Sequence, residues 1–375
     1  MLKKYSDLLT KSKDEREKFF TDFTVSHPKM RQVLVELKNE IYKGSQNIIM
    51  VVGPSGVGKS RLFNATKTLI IKDMEQELDE NKSIIPIAGI ELPNPDLGKF
   101  NWKDFYFRVL SSLKEPLIDK KIDVNVLNKI KNNNTVNSAR LPSTAAALRR
   151  SIESAFFNRQ TKALLIDEAQ HFFKINNDRR GDSEKNQKQF NSIKSLANMS
   201  YTKIVLFGTY DLSAVFNLDG QLSRRVKEIH FPRYDFKNEV DKKNFKSILL
   251  TFQKILPLQE EPDLIGHFEY LYENSIGCTG ILKNWLQRCL SDALENDEET
   301  ITFINLKKNA LHTKKLLTLA NEALDGETIF KENKGDKDEL KALLGTSKQE
   351  QPVNKEKKYN STPGKRKPER DNVGL

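Results

Sequence analysis

The chain has 375 residues, 37% apolar and 30% charged, with two cysteines and a net charge of +11. That length allows one large α/β domain with a helical appendage and tails, while Cys278 and Cys289 cannot make a metal site by themselves and read as reduced thiols of a cytoplasmic protein. The opening Met1-Leu2-Lys3-Lys4-Tyr5-Ser6-Asp7 has no apolar core and no stretch approaches the ~18 apolar residues of a membrane span, so neither export nor insertion is expected; the excess of Lys and Arg favours a polyanionic partner, nucleic acid first.

In chain order, residues 1–24 are charged and expected to be helical, with Phe19, Phe20 and Phe23 forming an apolar edge for the core or for a partner. After Pro28, the residues Val33, Leu34, Leu37, Ile41 and Tyr42 recur at helical spacing and stop at Gly44, which predicts an amphipathic helix. The run Ile48-Ile49-Met50-Val51-Val52 is a buried strand. It leads into Gly53-Pro54-Ser55-Gly56-Val57-Gly58-Lys59-Ser60, the pattern GxxxxGK[ST] of a P-loop, with Arg61 next. Its glycines let backbone N–H groups turn toward a β-phosphate, Lys59 reaches β/γ oxygens, and the Ser60 hydroxyl ligates Mg²⁺. The plain alternative is a glycine turn without a ligand.

A second strand is expected over about 84–91. Behind it, Pro93 to Lys103 combines cations with Phe100 and Trp102 and leads into a helix over Asp104 to Leu113; the two aromatics also read simply as anchors. Lys131 to Ser138 is a polar loop. The strand 162–166 then ends in Asp167-Glu168. Asp167 at a strand's carboxyl end can hold Mg²⁺ through water, and Glu168 can polarise the attacking water as general base; the plain reading is a buried strand with an acidic turn. Asn176 to Lys188 reads as a second polar loop, in which Arg179 and Arg180 are further candidates for DNA contact. A strand over 203–207 runs into Gly208-Thr209-Tyr210, and Leu222-Ser223-Arg224-Arg225-Val226 precedes a last strand over 228–231. From Asp235 onward the periodicity is helical over 237–256, 262–275, 279–295 and 304–324. Past Gly335 the chain is too polar to fold alone.

This order of strand, P-loop, Asp-Glu strand, polar-ended strand, Arg-Arg, strand and helical stretch resembles the AAA+ ATPases over about residues 25–295. Leu165-Ile166-Asp167-Glu168-Ala169-Gln170-His171, Leu206-Phe207-Gly208-Thr209, His27-Pro28 and Leu222-Ser223-Arg224-Arg225 look like its TniB/TnsC branch, which regulates DNA transposition. The resemblance implies an AAA+ P-loop NTPase fold: a parallel five-stranded sheet flanked by helices over 25–234, an N-terminal helical extension over 1–24, a helical lid over 235–330 and a disordered charged tail over 331–375. It also implies ATP and Mg²⁺ as cofactors, Thr209 as the sensor of the γ-phosphate, and Arg224 or Arg225 as a finger for a neighbour's nucleotide.

The implied partners are further copies of the chain in a ring or helical filament, duplex DNA bound without regard to sequence, a transposase and a TniQ-like target selector, with no membrane. Lys99 and Lys103 would contact DNA phosphates, because the corresponding region faces the pore in that branch. One departure concerns the second sensor: Thr279-Gly280-Ile281-Leu282-Lys283 stands where many AAA+ lids carry Gly-x-Arg, so Lys283 substitutes or the role is absent. The competing function is a AAA+ signalling or secretion-linked ATPase acting on protein partners, with the basic balance incidental.

Overall fold

The computed structural model describes residues 8–95, 100–121, 144–173, 181–217, 224–331 and 334–346. Lys99, Arg179, Arg180, Leu222, Ser223, the polar loop 131–138 and residues 347–375 lie outside the described residues. The chain divides into two compact units, Met1–Phe330 and Lys331–Leu375.

Helix α1, Lys13–Asp22, starts at a capping box between Ser12 and Glu15. Helix α2, Pro28–Lys43, opens on a proline whose missing N–H costs nothing in a first turn. Then follow β1 (Ile48–Val52), α3 (Lys59–Asp73), α4 (Glu75–Glu80), β2 (Ile87–Glu91), α5 (Trp102–Ser112) and α6 (Ala145–Asn158). The core closes with β3 (Ala163–Asp167), α7 (Gly181–Ser200), β4 (Lys203–Gly208), α8 (Tyr210–Asn217) and β5 (Val226–His230). The strands form one parallel sheet in the order β2-β3-β4-β1-β5.

A strand alternates its side chains between two faces, and helices cover both faces here, so the central strands are apolar throughout. Met50, Leu164 and Leu206 point into one layer with Phe105, Leu148 and Phe190 of α5, α6 and α7. Val51, Leu165 and Phe207 point into the other, against Val33 and Leu37 of α2 and Leu62 of α3.

Beyond β5 lie α9 (Glu239–Ile255), α10 (Phe268–Ser275), α11 (Thr279–Glu295), α12 (Phe303–Asn309) and α13 (Thr313–Ile329). Phe245, Leu249, Phe252, Leu271, Trp285 and Leu286 make a separate core there, and Phe20 of α1 is fully buried in it. The apolar edge of the N-terminal segment therefore packs on the lid of its own chain. Burial of such a ring contributes about 1.5–3 kcal/mol. Polar contacts fasten the same segment: Ser291 donates to Glu17 at 2.7 Å and Gln287 to the Thr21 hydroxyl at 2.8 Å.

Four expectations need correction. The stretch 262–275 is helical only from Phe268, since Pro262 and the Asp263–Gly266 turn (2.7 Å) occupy its start. The stretch 304–324 is two helices, because Ala310 takes an extended conformation after α12. The polar loop expected up to Lys188 gives way to helix α7 at Gly181. The tail expected to be disordered from 331 contains helix α14, Lys334–Leu343, with a Lys341–Asp338 pair one turn apart at 3.5 Å.

His27 ties the N-terminal segment to both other parts. It is 4% exposed; its Nδ1 meets the Tyr234 hydroxyl at 2.9 Å and the Met30 N–H at 3.4 Å, and its Nε2 meets Thr279 Oγ1 at 3.5 Å. A backbone N–H pointing at Nδ1 requires that nitrogen to accept, so the ring is neutral. Burial, helped by Arg31 and Lys29, pushes its pKa down to about 4. Between the unfolded pKa of 6.5 and about 4, the unfolded chain binds the extra proton. Stability present above that window is lost as pH falls through it, by about 2 kcal/mol at pH ~5 from this ring alone. Urea denaturation at neutral and mildly acid pH is expected to show a smaller acid loss in His27→Gln than in the parent; equal losses would place the titration elsewhere.

Candidate functional site

The sheet register decides which residues meet. Val52 pairs with Gly208 and His230, and Glu91 with Asp167, so β1, β3 and β4 end together at one carboxyl edge. Gly53 to Ser60, Asp167-Glu168 and Thr209 all leave from that edge, where a parallel sheet covered on both faces presents its crevice.

In the glycine-rich loop, Gly56 and Gly58 take φ of 75° and 115°, values that cost a side chain dearly. Gly58 gives α3 no side-chain cap, so the first N–H groups of that helix face outward with its positive end. Lys59 is folded back on the loop, its Nζ donating to the carbonyls of Gly53 at 2.9 Å and Pro54 at 3.0 Å. Burial pushes the ammonium below its ordinary range, opposed by the carboxylates of Glu168 and Asp167 and, farther down, Glu322.

Asp167 is 6% exposed. Burial pushes its carboxyl above the usual range, and hydrogen bonds from the Ser60 hydroxyl and the Glu168 N–H (3.0 Å) pull it back. Ser60 and Asp167 thus offer hard oxygen donors side by side, a set that suits Mg²⁺ with water and substrate oxygens completing its shell. Among the described residues no group of three or more His, Cys, Asp or Glu is placed to cage a metal; Mg²⁺ bound with phosphates does not need one.

Glu168 sits in the left-handed region, φ 54° and ψ 39°, at the head of a short 3₁₀ turn, Ala169–Phe172. That conformation costs a non-glycine residue on the order of 1 kcal/mol or more, a kind of strain that clusters at functional sites. Its carboxylate accepts a hydrogen bond from the Gln170 amide. The amide oxygen of Gln170 is buried without a hydrogen-bond partner among the described residues and lies 2.9 Å from where a Cβ on Gly208 would stand. Gln170 therefore bridges the Asp-Glu turn to the end of β4, a role that its sequence position alone did not signal.

The Thr209 hydroxyl donates to Asp211 at 3.3 Å, and its backbone carbonyl accepts the Leu212 N–H at 3.0 Å in the first turn of α8. Arg61 donates to the Thr21 carbonyl at 2.8 Å, and Lys283 to the carbonyls of Thr21 at 2.6 Å and Phe23 at 2.5 Å. Burial, with Arg61 adding, pushes the Lys283 ammonium down to about 8. As placed, Lys283 serves the N-terminal segment rather than a second-sensor role.

Arg224 and Arg225 are exposed in the turn before β5, at the amino edge of the sheet. With Lys194, Asn198, Ser45 and Asn47 they line a depression of about 330 Å³. A strand of about 16 Å separates that edge from the P-loop, so these arginines do not reach their own chain's site. Lys103 is exposed at the start of α5, whereas Trp102 donates to Gln189 at 2.6 Å and packs edge-on against Phe100 and Phe105 and at a tilt against Phe172. The aromatics anchor α5, as their plain reading had it.

Residues 42–216 match the AAA domain family. No curated protein matches the chain. Among solved structures, domain III of the Thermotoga maritima replication initiation protein DnaA is similar at 14% identity, over 81% of this chain and 95% of that one, with a TM-score of 0.39. The Aeropyrum pernix ORC1 protein in complex with DNA is similar at 13% identity, over 76% and 65%, with a TM-score of 0.44. Drosophila ORC bound to DNA is similar at 12% identity, over 90% and 85%, with a TM-score of 0.43. These likenesses are too loose to speak for substrate or partner. Glycine loop, Ser60–Asp167 pair and parallel sheet stand in one arrangement with the AAA match, and the chain has the AAA+ P-loop NTPase fold and is an ATPase.

Proposed function

We propose that the protein is an ATP-dependent, DNA-binding regulator of DNA transposition that assembles on target DNA and links a target-selecting protein to a transposase. The observation that carries the ATP half is the convergence of Lys59, Ser60, Asp167 and Glu168 at one sheet edge. The DNA and transposition half is supported by the net charge of +11 and by the TniB/TnsC-like residues around Asp167, Thr209 and Arg224.

In this reading the N–H groups of Gly53 to Ser60 take the β-phosphate, and Lys59 exchanges the Gly53 and Pro54 carbonyls for β/γ oxygens. Ser60 and Asp167 would hold Mg²⁺, which would supply positive charge beside the transferred phosphoryl group. Glu168 takes the proton of the attacking water once Gln170 releases its carboxylate, and Thr209 turns from Asp211 toward the γ-phosphate. Arg224 or Arg225 of a neighbouring copy supplies the remaining positive charge.

The chemistry predicts that Lys59→Ala abolishes nucleotide binding, while Glu168→Gln binds ATP but releases phosphate about 10²–10⁴ times more slowly. Parental turnover in Glu168→Gln would remove Glu168 as the base. For assembly, Arg224→Ala/Arg225→Ala is expected to bind ATP yet lose hydrolysis and ATP-dependent sedimentation; unchanged behaviour would leave both as surface charges.

The experiment that tests the function is filter binding of duplex DNA at several salt concentrations with a non-hydrolysable ATP analogue. Binding is expected to require nucleotide, ignore sequence and fall by about 0.9 log units per neutralised phosphate for each tenfold rise in salt. Lys99→Ala/Lys103→Ala lowers affinity for all sequences and flattens that slope. Equal affinity in the double variant discards this loop as the contact, and a parent without DNA affinity favours the reading in which the partners are proteins.

A further inference from the structure

The carboxyl end of α1 lies where the P-loop helix and the lid meet. A helix leaves its last carbonyls without partners and carries there a partial negative charge, about half an elementary charge. Helix α1 has no basic residue in its own last turn, and two cations from other elements take that place. Arg61, from the first turn of α3, donates to the Thr21 carbonyl at 2.8 Å. Lys283, from α11, donates to the same oxygen at 2.6 Å and to the Phe23 carbonyl at 2.5 Å. Lys283 is 8% exposed, and burial, then the Arg61 charge, lowers its pKa to about 8.

On the lid side α1 is fastened by other groups. Phe20 is buried in the lid core, Ser291 and Gln287 bond Glu17 and Thr21, and Arg16 donates to the Pro257 carbonyl at 2.8 Å. Helix α1 therefore belongs with the lid, and Arg61 is the point at which the P-loop helix grips it. Phe23, Val25, Gly58, Arg61, Gly280 and Lys283 line a cavity of about 40 Å³ under this grip. That is little more than one water's share of liquid, ~30 Å³, and far below the roughly 300 Å³ at which ligand pockets begin.

We infer that α1 is a strap released by nucleotide: its carboxyl end stands in for an anion between Arg61 and Lys283, and a polyphosphate on the P-loop draws Arg61 away and frees the strap from α3. The inference rests on the reading of the P-loop as the nucleotide site. Two cations that share one uncharged oxygen repel each other. A phosphate offers a guanidinium a full opposite charge and two oxygens for its fork, where the Thr21 carbonyl offers one oxygen and a partial charge. Arg61 follows Lys59 by two residues and lines the same cavity as Gly58, so a polyphosphate on Gly53 to Ser60 brings its charge beside that side chain. The Thr21 carbonyl then keeps only Lys283, and residues 21–26, which join α1 to α2, lose this tie to the P-loop helix.

The test is hydrogen–deuterium exchange of residues 19–26 in the full chain, alone and with Mg²⁺ plus a non-hydrolysable ATP analogue, inorganic triphosphate or adenosine, with binding of the analogue measured in parallel. The analogue and triphosphate are each expected to speed exchange about three- to tenfold, the weight of one partly exposed hydrogen bond to a charged group. Adenosine is expected to leave it unchanged. Arg61→Ala is expected to exchange fast without ligand and to gain nothing from triphosphate, and Arg61→Lys to recover part of both the protection and the response. Lys18→Ala, which removes an exposed cation of the same helix, is expected to behave as the parent. Exchange indifferent to the bound analogue, Arg61→Ala as slow as the parent, or adenosine acting like triphosphate would each overturn the strap. If the parent does not bind the analogue at all, the nucleotide reading of the P-loop falls, and the release of the strap with it.

Discussion

The carbonyl of Gly56 holds the two halves of the molecule together. It accepts the N–H of Gly280 at 2.8 Å and of Ile281 at 3.2 Å, donors in the first turn of α11. Cys278 offers that helix no side-chain cap, so the loop backbone takes the place of one. Neither glycine can be replaced without moving the other part. A Cβ on Gly280 would lie 2.5 Å from the Gly56 oxygen, and one on Gly56 would lie 2.5 Å from the Ile281 side chain. Thr279 Oγ1, donating to the Val57 carbonyl at 2.9 Å, closes the same joint. The conformation of the loop and the placement of α11 are therefore coupled through these contacts.

The charges around the loop obey the same economy of space. Burial pushes the Lys59 ammonium below its ordinary range, and the carboxylates of Glu168 and Asp167 oppose that. Each of these carboxylates is itself held by a neutral donor: Asp167 by Ser60 and the Glu168 N–H, and Glu168 by Gln170. An arriving polyphosphate adds anions where anions already stand. It is accommodated only if these carboxylates give way or gain a cation, which is where Mg²⁺ at Ser60 and Asp167 belongs in the proposed reading.

Much of this was legible in the sequence because it is local. Five apolar runs gave the strands to within a few residues, and Gly53 to Ser60 carries its conformation in its glycines. The strand ends Asp167 and Thr209 were identifiable because each polar residue directly follows an apolar run. What escaped depends on distant partners. Gln170 matters because Gly208 leaves room for its amide beside Glu168, a contact no spacing encodes. Which way α13 lies is set by distant partners, the Arg233–Glu327 pair and the close approach of Gly326 to Tyr210. The break after Asn309 is likewise tertiary: Arg288 of α11 holds the Asn309 carbonyl at 3.0 Å, and Asn309 itself reaches back to Asp292 at 3.3 Å.

The position of the arginine pair constrains any assembly. Arg224 and Arg225 lie at the amino edge of a parallel sheet whose carboxyl edge carries the P-loop, and a sheet with parallel strands has no second copy of either edge. Residues so placed can act on a nucleotide only if the amino edge of one copy meets the carboxyl edge of the next. Such a contact joins two different surfaces, and repeated head to tail it continues to a ring or a helix. The proposed finger and the proposed ring or filament are thus one claim about geometry.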